Sequence, residues 1–229
     1  MRLAPGLFRM TYRAAWIVPI AGPPIRHGWV GVRDGCITGV GAAADGTVPA
    51  GAVDLGDVIV MPGLVNAHIH LELSWLRGRV APAGSFLDWV SAMMRERTRA
   101  ADANDESVHR AAMREALADA RACGTAVVGD TTNSLMGFDL LEESGLAGVV
   151  FHELIGFNTP APDALVAAAA ERAASRPVPE GWRIVPASHA PYSVSPGLFA
   201  AVRRACGIDG TVPTSVHVAE AADETELLA

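Results

Sequence analysis

Two histidines one residue apart, His68 and His70, close the apolar run VIVMPGLVNAHIH at 58–70. In a β-strand, residues i and i+2 project to one face, so both imidazoles leave the strand's C-terminal end together. Two neutral imidazoles so placed are ordinary ligands for a zinc-type ion, at about 2.0–2.1 Å from the metal. His217, in SVHVAE, ends another short apolar run and can complete a three-histidine site. Glu220 follows three residues later, where a carboxylate can carry a proton from a metal-activated water to a leaving nitrogen. On its own it reads equally well as a cap for the helix-like DETELLA that follows. His189, in SHAPY, also ends an apolar run. It is a candidate substrate contact, with metal ligation and a plain hydrogen-bonded loop histidine as its alternatives.

The other titratable and aromatic side chains carry weaker signals. His27 and His109 read as structural or surface residues, and His152 lies near a strand end where it can line a cavity. Trp75, Phe86 and Trp89 fit an apolar pocket wall or simple core packing, and Arg77 and Arg79 fit an anion clamp or a solvated loop. Asp130 and Thr131 end a strand, where a role in orienting a ligand histidine is conceivable. No GxSxG, GxGxxG or Cys/His nucleophile pattern is present.

Composition narrows the chemistry further. All 18 basic residues are Arg, so no lysine is available for a Schiff base, a P-loop or a carbamylated metal bridge. With 25 acidic residues the formal charge is −7, and no basic stripe exists to track phosphates, which argues against nucleic acid. Cys36, Cys123 and Cys206 are odd in number and far apart, which fits buried thiols in a reducing, cytoplasmic setting. No stretch approaches the roughly 18 apolar residues of a membrane span.

These residues need elements to hold them. Between Tyr12 and Leu55 short β-like runs alternate with Gly, Pro and Asp turns, as in a small antiparallel sheet. From 58 onward apolar strands alternate with helices: strands at 58–70, 125–130, 147–154, 182–189 and 213–218, helices at 85–99, 105–122, 139–144, 163–176 and 196–206. Ser85 and Asp105 are candidate N-caps, and Gly124, Gly145 and Gly207 follow helix ends. The expected architecture is α/β: an accessory β-domain part at 1–57 and, at 58–229, about five strands of a parallel sheet covered by helices. A closed (β/α)8 barrel needs eight strands and about 250 residues. The sheet is therefore either an open one or part of such a barrel.

The motifs PGLVNAHIHLELS, SHAPYSVSP and HVAE, in this order, resemble the amidohydrolase superfamily. The resemblance points to its branch of cytosine, guanine and S-adenosylhomocysteine deaminases and triazine chlorohydrolases, with wording most like aminodeoxyfutalosine deaminases. It implies a metal-dependent TIM barrel beside a small β-sandwich part. It further implies that His68, His70 and His217 bind one divalent metal, zinc first and iron second, that Glu220 is the proton shuttle, and that His189 contacts substrate. The implied reaction on a small-molecule substrate is hydrolytic deamination of a purine-like or other heterocyclic amine. Hydrolysis of another C–N or a C–Cl bond is the alternative.

The family also places a histidine after its sixth strand and a metal-binding Asp after its eighth, and the sequence reaches Ala229 soon after the fifth. The expectation is therefore an N-terminal portion of a longer parent enzyme, incomplete and inactive alone, with open apolar sheet edges that favour aggregation. Homo-oligomer formation by the parent is compatible with this reading.

Overall fold

The computed structural model describes residues 9–43, 48–103, 106–207 and 210–228. Contacts divide the chain into two units, Met1–Gly63 and Leu64–Ala229.

In the first unit β1 (Arg9–Ile17), β2 (Ile25–Arg33) and β3 (Cys36–Ala42) form an antiparallel meander. The β2–β3 hairpin turns at Asp34-Gly35, both with positive φ (50° and 78°), the geometry that an Asp-Gly pair favours in a two-residue turn. Two short strands, β4 (Val53–Asp54) and β5 (Ile59–Val60), run parallel to β1. Ala14, Ile17 and Val30 are buried here, with Tyr12, Ile25, Val32 and Val60 packed on them. The strand expected at 58–70 is thus two strands. Ile59–Val60 joins the β1 sheet, and the chain after Pro62-Gly63 opens a new one.

That second sheet contains β6 (Leu64–Ile69), β7 (Thr125–Thr132), β8 (Ala147–Leu154) and β9 (Trp182–Ser188), all parallel and in sequence order. The intervening segments are α1 (Phe86–Ala103), α2 (Glu106–Ala122), α3 (Phe138–Ser144), α4 (Pro162–Ala174) and α5 (Pro196–Ala205), followed by α6 (Ala222–Leu228). Alternation along the strands sorts the side chains into two layers. Val128, Val150 and Trp182 pack with Met113, Leu117, Leu140 and Leu141 of α2 and α3, while Leu154 packs with residues of α4 and α5. Phe151, Val185 and Ala187 form a separate cluster on the opposite face.

Helix boundaries follow their caps. The Ser85 hydroxyl accepts from Asp88 N at 3.1 Å, and Ser195, followed by Pro196, accepts from Leu198 N. Gly124, Gly145 and Gly207 take positive φ (85°, 67° and 84°) after helix ends. The cap expected at Asp105 lies outside the described residues.

The fifth strand, expected at 213–218, does not form. The segment runs extended beside β9 but has no ladder with it. Toward β9 it makes His217 N to His189 O at 2.7 Å and the Thr214 hydroxyl to Pro186 O at 2.9 Å. Proline is the physical reason: Pro186 on β9 and Pro213 on the segment have no N–H to donate. Two thiols also differ from expectation. Cys36 opens the exposed first half of β3 and Cys123 lies in the turn after α2, so both are exposed, and Cys206 is buried in the α4–α5 cluster.

Two positions test the β6–β7 junction. A Cβ on Gly129 would lie 2.4 Å from the Ala67 carbonyl oxygen and 2.9 Å from the Phe151 ring. Gly129→Ala is expected to cost about 1–3 kcal/mol, read from the urea midpoint; a wild-type midpoint would contradict this close approach. Asp130 is buried and accepts Leu71 N at 2.9 Å. Burial pushes its carboxyl up to about 7; the Leu71 amide opposes the rise and the Glu72 charge adds to it. Native Asp130 therefore holds a proton between about pH 4 and pH 7 that the unfolded chain releases. Its contribution to stability is complete below pH 4 and is lost as pH rises through 7. Asp130→Asn, neutral at every pH, should match wild type near pH 4 and exceed it at pH 8 by on the order of a few kcal/mol; parallel pH profiles of the urea midpoint would refute this.

Candidate metal centre

Strand β6 ends at Ile69, and the chain turns at His70 into a 3-10 turn, Leu71–Leu76. Two contacts fix that exit: Leu73 N donates to His70 O at 3.1 Å, and Asp130 holds the Leu71 amide. His68 and His70 leave on the same side, and His217 meets them from the extended segment beside β9. Ring centroids are 4.9 Å apart for His68–His70, 4.8 Å for His68–His217 and 5.3 Å for His70–His217. The Nε2 atoms of His70 and His217 stand 3.2 Å apart. Two nitrogens on one tetrahedral zinc, each about 2.05 Å from the metal, would be about 3.3 Å apart. One ligand atom from each of the three side chains lies within 4.8 Å of the others. The donor set and its spacing therefore fit a small divalent ion.

At His68 and His70 electrostatics agree with ligation by neutral imidazoles. Burial, more than the neighbouring His217, pulls His68 below its ordinary value, and burial does the same to His70. Both rings thus carry a free lone pair at neutral pH. His217 is shifted up, first by the Glu153 carboxylate beside its Nδ1.

Behind the histidines lies a buried polar tier that sequence reading did not single out. Glu153 on β8 is buried, with Oε1 3.2 Å from His217 Nδ1 and Oε2 3.0 Å from the Asn133 amide nitrogen. Burial pushes its carboxyl up, but His217 beside Oε1, the charges of His189 and His217 and the Asn133 hydrogen bond outweigh this and hold it below its ordinary value. Glu72 accepts four hydrogen bonds, from Thr132 Oγ1, Asn133 N, Ser134 N and Ser134 Oγ, at 2.5–3.1 Å. These bonds overcome the larger effect of burial, so Glu72 too sits below its ordinary value. Period-two alternation was the signal that could have found Glu153. Val150 and Leu154 face the helices, so Phe151 and Glu153 face the other way. His152, the strand-end histidine considered for the cavity, belongs to the helix-facing set and is buried; burial first, and the Arg172 charge second, pull it below its ordinary value.

His189 follows β9, with its ring centroid 5.1 Å from that of His217 and its Nδ1 2.5 Å from the Ser193 hydroxyl. Its Nε2 remains for another partner. Glu220 is exposed, and its carboxylate charge is felt at His68, His189 and His217. Ala219, at φ 58°, turns the chain into it, and the Tyr192 hydroxyl donates to Glu220 Oε2 at 3.0 Å. Thr131 is buried, and among the described residues its hydroxyl finds no hydrogen-bond partner.

Other residues raised by the sequence stand elsewhere. Trp75 is buried and stacks on His109 at 4.5 Å, so His109 packs rather than facing solvent, and Arg79 lies over the same indole at 5.5 Å. Arg77 pairs with Asp119 at the surface, Phe86 stacks on Trp89, and His27 is an exposed residue of β2.

A profile described as the Amidohydrolase family matches residues 59–228. The chain is 30% identical over 216 residues to a 5-methylthioadenosine/S-adenosylhomocysteine deaminase of Nitratidesulfovibrio vulgaris, covering 88% of this chain and 46% of that protein. Its fold is similar to Helicobacter pylori aminofutalosine deaminase in complex with methylthio-coformycin (TM-score 0.75, 23% identity, 95% of this chain and 52% of the other). It is also similar to a zinc-complexed atrazine chlorohydrolase from Arthrobacter aurescens (TM-score 0.75, 17% identity, 93% and 54%). The chain spans about half the length of these relatives. The parallel strands thus correspond to part of an amidohydrolase TIM barrel, and with residues 59–228 matched the chain belongs to the amidohydrolase family.

Proposed function

We propose that this chain supplies the histidine part of a metal site and the proton-transfer carboxylate of a hydrolytic deaminase acting on a purine-like or other heterocyclic amine. The observation that carries the reading is the convergence of His68, His70 and His217, with the Nε2 atoms of His70 and His217 3.2 Å apart. Zinc is the preferred ion and iron the second. Such an ion, when bound, supplies the Lewis acidity that makes water nucleophilic near neutral pH. Family membership and the named deaminase relative support the reaction class, and the small-molecule substrate follows from it. The free thiols at Cys36, Cys123 and Cys206 support a reducing, cytoplasmic setting. Among the described residues no helix is long and apolar enough to cross a membrane.

In this reading Glu220 moves a proton to the departing nitrogen, and the Tyr192 hydroxyl holds its Oε2 so that the carboxylate keeps one orientation. His189, tied through Nδ1 to Ser193, presents Nε2 to the substrate ring. A bound heterocycle would lie between His189 and Glu220, excluding bulk water as it enters.

Zinc titration of the metal-free protein tests the site. At 100 times Kd the expected stabilisation is about 2.7 kcal/mol, a rise of roughly 5–10 °C in Tm for a chain of this size. His68→Ala and His217→Ala should abolish that response; a response that survives both would overturn the ligand assignment. Glu220→Gln should retain the zinc response and, in a protein that carries the rest of the barrel, lower ammonia release from an aminated heterocycle by about 10²–10⁴-fold. Chloride release from a chlorotriazine without ammonia release from amino-purines would move the reaction to the C–Cl alternative.

A further inference from the structure

We infer that Glu153 is the positioning residue of His217, locking its ring with Nδ1 protonated and Nε2 turned to the metal; this rests on the metal-site reading above. The two ring nitrogens of His217 have different neighbours. Nε2 lies 3.2 Å from His70 Nε2, whereas Nδ1 lies 3.2 Å from Glu153 Oε1 and 3.1 Å from the His189 carbonyl oxygen. Both Nδ1 neighbours accept hydrogen bonds and neither donates, so the proton belongs on Nδ1 and the lone pair on Nε2.

Alignment favours the carbonyl as acceptor, and Oε1 is left buried without a well-directed hydrogen bond. Charge favours the carboxylate: at equal distance an ionised acceptor attracts an N–H about twice as strongly as a neutral one. An ionised oxygen that is buried and incompletely paired is costly to leave unmet, so it pulls the ring toward itself. The carboxylate cannot swing away, because the Asn133 side-chain nitrogen donates to Glu153 Oε2 at 3.0 Å and to the Glu153 backbone oxygen at 3.1 Å. Asn133 in turn is set by its own amide, which donates to the buried Glu72 at 3.1 Å. Glu153 meets Nδ1 whereas His70 meets Nε2, so toward an ion held with His68 and His70 it acts through His217; Glu153, His189 and His217 also offer ligand atoms within 4.8 Å of one another, and Co²⁺ spectra distinguish the two roles. This support matters more for His217 than it would for a strand residue, since no ladder fixes the segment that carries it. A carboxylate on the distal nitrogen fixes a ligand histidine's tautomer and strengthens its donation, and losing such a partner typically weakens metal binding about 10- to 100-fold.

The test compares Zn²⁺ affinity, by competition with a chromophoric chelator, in the full chain and in Glu153→Gln, Glu153→Leu and His217→Ala. It is paired with Co²⁺ absorption spectra and long-range ¹H–¹⁵N spectra of the histidine rings. The expected result is a Kd raised about 10- to 100-fold in Glu153→Leu and by a smaller factor in Glu153→Gln, which keeps an acceptor but loses the charge. The Co²⁺ bands should keep their positions, and the His217 Nδ1–H signal should persist in Glu153→Gln but be lost or averaged in Glu153→Leu. A Kd within about twofold of wild type in both variants, or in Glu153→Gln alone if Glu153→Leu does not fold, overturns the inference while His217→Ala still abolishes binding. Shifted Co²⁺ bands would make Glu153 a ligand and also overturn it. If His217→Ala leaves the affinity unchanged, it is the metal-site reading that fails.

Discussion

A buried carboxylate must be surrounded by donors or give up its charge. Three such groups, Glu72, Asp130 and Glu153, lie at 7%, 3% and 5% exposure around the C-terminal ends of β6, β7 and β8. They answer the constraint in different ways. Glu72 collects four donors from the 132–134 turn and stays ionised, whereas Asp130, which accepts the Leu71 amide, is pushed up to about 7. Glu153 is held through Oε2 by Asn133 and sets Oε1 3.2 Å from a histidine ring nitrogen. Satisfying these groups pins the turn after β6 to the turn after β7, and that turn to the end of β8. The histidines then stand on a base whose own hydrogen bonding leaves little freedom.

Much of this frame was legible in the residues. The His-Ile-His spacing fixed a common face, and the Ser85 cap and the glycine stops set helix limits within a few residues. Apolar runs announced a parallel sheet. What escaped reading depends on contacts distant in sequence. Glu72 lies in LELSWL, where nothing local reveals four donors some sixty residues away. Glu153 was overshadowed by His152, although strand alternation assigns the two to opposite faces. The 213–218 segment has strand-like composition but lacks the paired donors that would register it on β9, a property of two prolines rather than of apolar content.

The same reasoning explains why the three histidines differ in kind. His68 and His70 inherit their direction from the pleat of β6 and the anchored turn that follows it. His217 inherits little from secondary structure. The His189 carbonyl takes both its backbone amide and its ring nitrogen, and Glu153 adds a charge behind the ring. Family membership accounts for the presence of these residues, and buried polar pairing accounts for where they stand.

The strandless tether of His217 bears on how quickly an ion is exchanged. A ligand carried by a ladder strand leaves only when the sheet opens, whereas one held through a single neighbouring carbonyl and a carboxylate can retreat by breaking a few bonds. Metal capture here would then be a two-stage event: docking on the paired imidazoles of β6, followed by a latch-like closure of the 213–218 segment. Residence time would be set by the latch, leaving the β-scaffold untouched during loading and release.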